Sequence, residues 1–242
     1  MKLHTFDTPE ILSDQLAAWI CDYVTETLKE QEFFSLVLSG GETPKLLYKK
    51  LASPKFKDKI NWNRIRIFWG DERAVPFTDD RNNAKMAFDI LLDKVDIPQD
   101  QIYIINTDIE PNFAADKYRG ILYKLFSSTS KSFDLVLLGM GDDGHTLSLF
   151  PGSPVLEVEN QWVTSVFNEA QNMYRITMMP QIVNRAQRIA FMVDGSKKSK
   201  ALKQVLEGKY LPDEYPAQLI KPSLGGELHW FLDKDAAKGL SS

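Results

Sequence analysis

The sequence predicts a three-layer α/β/α fold built on a mostly parallel, Rossmann-like sheet. Short apolar runs alternate along the chain with segments of helical periodicity, and polar turns that contain glycine follow several of these runs. Strands that alternate with helices form parallel sheets covered by helices on both faces, and the connections are right-handed crossovers. Because no linker or repeat divides the 242 residues, we expect a single domain spanning residues 1–242.

The first half of the chain predicts helices and strands in strict alternation. Apolar residues recur at helical spacing through Leu12, Leu16 and Ile20, which predicts a long amphipathic helix over 9–31. Apolar runs bounded by glycine or polar residues predict strands. The segments between them, in which apolar residues recur at helical spacing, predict helices. The strands are expected at 33–39, 64–70, 101–106 and 133–139, and the further helices at 43–53, 82–95 and 112–128.

The second half of the chain continues this pattern with shorter elements. Strands are expected at 162–167, 174–179, 188–195 and 228–233, a short helix at 180–186 and a longer one at 196–208. His4 and His229 lie in strand-like segments far apart along the chain, and we expect both to be structural.

Composition and charge exclude several classes of function. The formal net charge is −4 and no basic stripe is visible, so we expect no nucleic-acid partner. Cys21 is the only cysteine, which excludes an internal disulfide and metal sites built on cysteine pairs. No apolar run reaches the roughly 20 residues that cross a bilayer, and the start lacks the apolar core of a signal peptide. We therefore expect a cytoplasmic protein that binds no membrane.

Four polar loops follow strands that should share one sheet, and ligands bind at the carboxyl ends of such strands. The first loop, SGGETP, begins at Ser39; Gly40 and Gly41 allow the backbone to approach a ligand closely. Thr43 is expected as the N-cap of the next helix, with Pro44 at its first position. A helix start after a glycine turn suits a phosphate or carboxylate, although an ordinary tight turn would look the same.

Charged side chains follow two other strands. The loop GDER contains Asp71, a candidate base or hydroxyl ligand, and Arg73, which can fork onto an anion; a solvated charged turn is the alternative. The loop DGSKK places Lys198 near a helix start, where a cation opposes the helix dipole unless an anion is bound; an exposed lysine face is the alternative. Arg175, within a strand-like segment, needs a partner or must extend its head to the surface.

The loop GMGDDGH places a histidine beside carboxylates. Asp143 precedes His145 by two residues, and Gly141 opens the turn. An imidazole exchanges protons near neutral pH and can serve as a general acid or base, but a histidine that caps a turn fits equally well. Neither HxH nor HExxH occurs, and no second histidine matches His145, so the sequence shows no ligand motif for a metal and we expect none.

Six segments give the chain a specific resemblance. They are SGGETP, WGDERAVP followed by NN, LLGMGDDGHTLSLFPGSP, YRITMM, DGSKK and YPAQLI. With them the chain resembles the 6-phosphogluconolactonases, relatives of glucosamine-6-phosphate deaminase within the glucosamine/galactosamine-6-phosphate isomerase superfamily. The resemblance implies hydrolysis of 6-phosphoglucono-δ-lactone in the oxidative pentose phosphate pathway, without a metal or organic cofactor. We expect a monomer or a small homo-oligomer.

The resemblance also assigns roles to residues. It implies that His145 is the acid/base residue, with Asp143 and Asp71 as further catalytic candidates. The substrate-binding candidates are Ser39, Gly40, Gly41, Thr43, Arg73, Gly141, Arg175 and Lys198, of which Ser39–Thr43, Arg175 and Lys198 would hold the phosphate. Two positions depart from the family pattern. Glu42 stands where a small polar residue is usual, so its carboxylate should point away from the phosphate; Asn82 replaces a usual serine.

Two other functions fit parts of the sequence. An amino-sugar phosphate deaminase-isomerase shares the early loops, but its histidine segment continues into an IAFNEP-like stretch with a catalytic glutamate. Here the segment continues as TLSLFPG, with no acid until Glu157. A sugar-phosphate sensor would carry an N-terminal DNA-binding helix-turn-helix. Because the sequence begins at once with its first αβ unit and shows no basic module, we expect an enzyme rather than a sensor.

Overall fold

The computed structural model describes residues 1–241, which form ten strands and seven α-helices. The strands are β1 (Lys2–Phe6), β2 (Phe34–Leu38), β3 (Ile65–Trp69), β4 (Asp71–Arg73), β5 (Ile102–Tyr103), β6 (Leu135–Gly139), β7 (Val163–Asn168), β8 (Met173–Met178), β9 (Arg188–Val193) and β10 (Glu227–Asp233). The helices are α1 (Pro9–Thr27), α2 (Thr43–Leu51), α3 (Asn83–Ile90), α4 (Pro111–Phe126), α5 (Pro180–Val183), α6 (Ser199–Glu207) and α7 (Lys234–Ala237).

Seven strands form one parallel sheet in the order β1-β10-β9-β6-β2-β3-β5. This sheet, flanked by helices, confirms the predicted α/β class. All five residues of β2 are buried, as expected for a central strand covered on both faces. Because the strands are parallel, the segments that follow β2, β3, β6 and β9 all leave the sheet at its carboxyl edge, as predicted.

The long first helix follows from its sequence. Thr8 caps it by accepting the N–H of Ile11, and Pro9 occupies a first-turn position. Leu12, Leu16 and further apolar residues at the same spacing are buried. This face packs against the core, and α1 also contacts α2, which in turn contacts α3.

The second sheet departs from the prediction. β4, β8 and β7 form a separate three-stranded antiparallel sheet. Residues 71–73 were expected to be a charged loop, yet they form a strand because β8 supplies a partner about a hundred residues away in sequence. β5 has two residues instead of the expected six, since it lies at the sheet edge and pairs only with β3.

His4 and His229, which are distant in sequence, contact each other on the neighbouring strands β1 and β10. Nε2 of His4 lies 3.1 Å from Nδ1 of His229, and the His4 ring stacks on Phe231 at a centroid distance of 4.5 Å. These contacts join β1 to β10 and agree with a structural role. None of the helices in residues 1–241 has both the length and the apolar character needed to cross a membrane.

Candidate active site

The four loops that the sequence singled out are neighbours at the carboxyl edge. Strands β9, β6, β2 and β3 are consecutive in the sheet, so the histidine loop after β6 lies between the loops after β9 and β2. A direct contact joins the loop after β2 to the loop after β9: the hydroxyl of Thr43 donates to Oδ1 of Asp194 at 2.5 Å.

A buried tyrosine hydrogen-bonds to the backbone at the start of the glycine loop after β2. The Ser39 N–H donates to the Tyr48 hydroxyl (2.9 Å), which donates to the Ser39 carbonyl (2.7 Å). Gly41 has a φ of 95°, which glycine adopts without strain. Within the described chain, the N–H groups of Gly40 and Gly41 donate to no protein acceptor. Free N–H groups ahead of a helix start are suited to binding an anion.

The N-cap of the helix after this loop lies one residue earlier than predicted. Glu42, with helical φ and ψ, occupies the N-cap of α2 and makes no side-chain cap bond. The prediction of Thr43 as the N-cap is therefore wrong: the turn at Gly41 brings Glu42 into helical geometry, and the Thr43 hydroxyl bonds to Asp194 instead.

The structure accounts for both departures from the family pattern. The side chain of Glu42 is 87% exposed and pairs with Nζ of Lys45 at 2.6 Å, so its charge is balanced by a neighbouring cation; its orientation away from a bound phosphate stays a prediction. Oδ1 of Asn82 accepts the N–H of Lys85 at 2.9 Å and caps α3. Asparagine is as good an N-cap as serine.

Two arginines lie opposite each other on adjacent strands of the three-stranded sheet. Arg73 on β4 pairs in register with Arg175 on β8. Arg175 is only 4% exposed; its Nη1 lies 3.6 Å from Oδ2 of Asp71, and its Nη2 donates to Gln171. Burial lowers the pKa of Arg175, and Asp71 opposes that shift.

A buried glutamate fixes the strand and helix that hold Arg73. The Glu72 carboxylate accepts the N–H groups of Arg73 (2.8 Å), Asn83 (2.7 Å) and Ala84 (2.8 Å). Burial raises the pKa of Glu72 to about 7, although the three N–H donors favour its charged form. Glu72 therefore ties β4 to the start of α3.

Both arginines line a cavity of about 540 Å³. Its cations outnumber its carboxylates, four to two, and methionines cover part of the wall. The lining residues are Gly41, Glu42, Lys45, Arg73, Asp80, Arg81, Asn82, Asn83, Met86, Gln171, Met173 and Arg175. A concave site with this charge balance suits an anionic ligand.

The histidine and its aspartate form a hydrogen-bonded pair as predicted. Nδ1 of His145 lies 2.6 Å from Oδ1 of Asp143, which also accepts the His145 N–H at 3.0 Å. Burial opposes the charge on Asp143, but the bonds from His145 prevail and its pKa is lowered. A Cβ on Gly141 would lie 2.1 Å from Nδ1 of His145, so only glycine fits there.

The TLSLF turn after His145 connects it to the arginines. Leu147 has a φ of 55°, which is uncommon for a residue with a branched side chain. The Ser148 hydroxyl donates to Oδ2 of Asp71 at 2.7 Å. The Phe150 ring lies 4.7 Å from the His145 ring and 5.9 Å from the guanidinium carbon of Arg175. Phe150 is thus a neighbour of both the histidine and one arginine of the cavity.

Not every predicted residue lines the cavity. Gly41, Arg73 and Arg175 do, whereas Lys198 stands at the N-cap of α6, on the loop after β9. Sequence inspection missed Asn83, Ser148 and Phe150. All three lie in quoted motifs, but no local pattern shows where their side chains point.

Comparisons with known proteins agree with this fold. Residues 7–230 match the family model described as glucosamine-6-phosphate isomerases/6-phosphogluconolactonase. The chain is 40% identical over 244 residues to a 6-phosphogluconolactonase of Nostoc, covering 97% of this chain and 98% of that protein. It is 37% identical over 235 residues to one of Synechocystis, covering 96% and 95%. A 6-phosphogluconolactonase structure from Trypanosoma cruzi superposes with a TM-score of 0.85 at 26% identity, covering 100% and 97%.

Proposed function

The chain belongs to the family of glucosamine-6-phosphate isomerases and 6-phosphogluconolactonases, and from this premise we propose that it is an enzyme that hydrolyses 6-phosphoglucono-δ-lactone to 6-phosphogluconate. The observation that supports this most directly is the His145–Asp143 pair: the His145 ring lies 4.7 Å from the Phe150 ring, which is also 5.9 Å from Arg175 of the cationic cavity. A base beside an anion site suits a phosphorylated substrate that is opened by water.

His145 is the proposed base. Because Asp143 occupies Nδ1, Nε2 is the nitrogen left to accept a proton. Water attacks the lactone carbonyl carbon while Nε2 takes one of its protons, and the carbonyl oxygen becomes a tetrahedral oxyanion. As the intermediate collapses, the bond from this carbon to the ring oxygen breaks. The imidazolium returns its proton to the ring oxygen, which becomes a hydroxyl, and the acid formed ionises to the carboxylate.

Asp143 and Asp71 have different proposed parts in this reaction. Asp143 orients the imidazole and stabilises its protonated form, as a carboxylate does in other acid/base pairs. Asp71 already accepts Ser148 and lies beside Arg175, so its proposed part is to hold Arg175 rather than to take a proton.

The proposed phosphate site is the loop Ser39–Thr43, including Gly40, with Arg175 and Lys198 as counter-charges. The free N–H groups of this loop support the assignment, and Arg73 lines the remaining substrate site. Gly141 is a proposed neighbour of the lactone ring; its N–H donates to the His145 carbonyl at 2.8 Å and is therefore not an oxyanion donor.

The test is a rate above spontaneous lactone opening. The lactone is generated from glucose 6-phosphate by its dehydrogenase, and its loss is followed with and without the protein. We expect acceleration that EDTA leaves unchanged, and no ammonia from glucosamine 6-phosphate. Ammonia release without lactone hydrolysis would assign the isomerase reaction instead, and tight phosphosugar binding with neither reaction would assign a sensor.

Further proposals concern the setting of the enzyme. We propose a single domain over residues 1–242 that acts in the cytoplasm as a monomer or small homo-oligomer, needs no cofactor and binds no nucleic acid. One large hydrophobic cluster from Leu12 to Ala236 supports the single domain. Size-exclusion chromatography with light scattering measures the oligomeric state.

A further inference from the structure

Asn83, the first residue of α3, is bonded to every residue of β4. Its Nδ2 donates to the Asp71 carbonyl at 2.9 Å, and its Oδ1 accepts Nη1 of Arg73 at 2.5 Å. Its backbone N–H donates to Oε1 of Glu72 at 2.7 Å. Asn83 is 1% exposed, so these bonds are protected from water.

The opposite side of the Asn83 amide lies against the glycine loop. A Cβ built on Gly40 would be 2.0 Å from Oδ1 of Asn83 and 2.4 Å from its Nδ2. No side chain fits at position 40 while Asn83 keeps this rotamer. Gly41 has a positive φ and Gly40 does not, so the glycine at position 40 is explained by close approach and not by backbone conformation.

We propose that Asn83 is a positioning residue that fixes the guanidinium of Arg73 relative to the glycine loop after β2. This rests on the proposed function, in which that loop and Arg73 bind the phosphosugar. Arg73 has few other restraints: Nη1 also donates to the Arg81 carbonyl at 2.9 Å, and Nε has no partner within residues 1–241. A long flexible side chain binds more tightly when it is held in place beforehand.

If Asn83 positions Arg73, its removal should weaken substrate binding without an equal loss in the rate of the chemical step. Hydrogen bonds to charged groups are the strong ones, so Asn83→Ala should raise KM about tenfold and change kcat little. Calorimetry with inorganic phosphate should show a similar loss of affinity. Asn184→Ala is the matched control: its side chain also makes two hydrogen bonds, donating to the Leu219 carbonyl and accepting the Lys221 N–H, and Asn184 is not among the residues that line the cavity. It should change neither KM nor phosphate affinity.

A double-mutant cycle tests the contact itself. Gly40→Ala alone should reduce phosphate affinity and thermal stability, because the new methyl group displaces the Asn83 amide. In the Asn83→Ala background the same change should have little further effect, since the clashing amide is absent. Additive losses in the two backgrounds would overturn the proposed contact.

These results separate the positioning role from the reaction. If the wild-type protein does not open the lactone, the proposed function fails, while the cycle in phosphate affinity and unfolding still tests Asn83. If the wild-type protein is active and Asn83→Ala keeps wild-type KM and phosphate affinity, the positioning role is overturned.

Discussion

Arg73 and Arg175 lie directly opposite each other in the antiparallel pair of β4 and β8. Like charges in such a pair destabilise a sheet. The Asp71 carboxylate, 3.6 Å from Nη1 of Arg175, acts against the lowering of the Arg175 pKa that burial and Arg73 cause. A bound anion would further relieve the repulsion between the two arginines. Locally unfavourable arrangements of this kind are concentrated at ligand-binding sites.

The first prediction follows from this repulsion. Phosphate should raise the free energy of unfolding of the wild-type protein, by about 1.4 kcal/mol at ten times its Kd. Arg175→Ala should lose most of this gain, because a counter-charge of the anion is missing. Urea unfolding in phosphate and in chloride of equal ionic strength measures it. Arg64→Ala is the control, since Arg64 bonds the Glu32 carbonyl away from the cavity; an equal gain in all three proteins would exclude Arg175 from the site.

The second prediction concerns Lys198, which stands outside the cavity lining. Lys198→Ala should weaken substrate binding by about 1.5–3 kcal/mol if its charge reaches the phosphate. The measurement is KM, with Lys197→Ala, on the same turn, as the control. An unchanged KM for Lys198→Ala would remove it from the phosphate site and leave the arginines as the counter-charges.

The third prediction tests His145 as the base. His145→Ala should reduce kcat by about 10²- to 10⁴-fold and leave thermal stability and phosphate affinity near wild type. Asp143→Asn should also reduce kcat, because the amide stabilises a protonated imidazole less well. A His145→Ala variant that unfolds would favour the capping role, and one with full turnover would remove His145 from the mechanism.

The fourth prediction distinguishes the two possible parts of Asp71. If Asp71 positions Arg175, Asp71→Asn should raise KM more than it lowers kcat, and Ser148→Ala should act in the same direction because Ser148 donates to the same carboxylate. If Asp71 is a base, kcat should instead fall by about 10²-fold or more and Ser148→Ala should have little effect on KM. Initial rates over a range of lactone concentrations decide between them.

The fifth prediction is a loss of stability in weak acid. Burial and the nearby Lys2 lower the pKa of His4, and burial lowers the pKa of His229 despite the raising effect of Glu227. A histidine whose folded pKa is below its unfolded value of about 6.5 binds more protons when unfolded. The stabilisation is complete above pH 6.5 and is lost as the pH falls through the lower folded pKa values.

Urea unfolding between pH 7.5 and 5 measures this dependence. Lys2 and Arg188 also face the pair through their contacts with Glu227, so protonation of the histidines adds charge beside existing cations. His4→Phe keeps the stacking on Phe231 and cannot titrate; its stability should fall less over this range. An equal fall in both proteins would assign the acid sensitivity to other groups.

Local sequence patterns are enough to predict the alternation of helices and strands, the parallel sheet and the edge at which its polar loops meet. It also placed His145 beside Asp143 and the glycines at the turns. These features are local: periodicity, turn residues and spacing within one segment specify them. The motif LLGMGDDGHTLSLFPGSP also pointed to the 6-phosphogluconolactonases. It can be recognised in the sequence because its residues are contiguous in the chain.

Contacts between side chains of distant segments become visible only in the folded structure. Nothing local in GDER predicts a strand, because β4 exists only where β8 supplies its partner, and that pairing sets Arg73 opposite Arg175. The contact of Asn83 with Gly40 likewise depends on how α3 packs against the loop after β2. Such pairings are fixed by the global packing of the core, which brings together residues that are distant in sequence, and therefore no local pattern of residues records them.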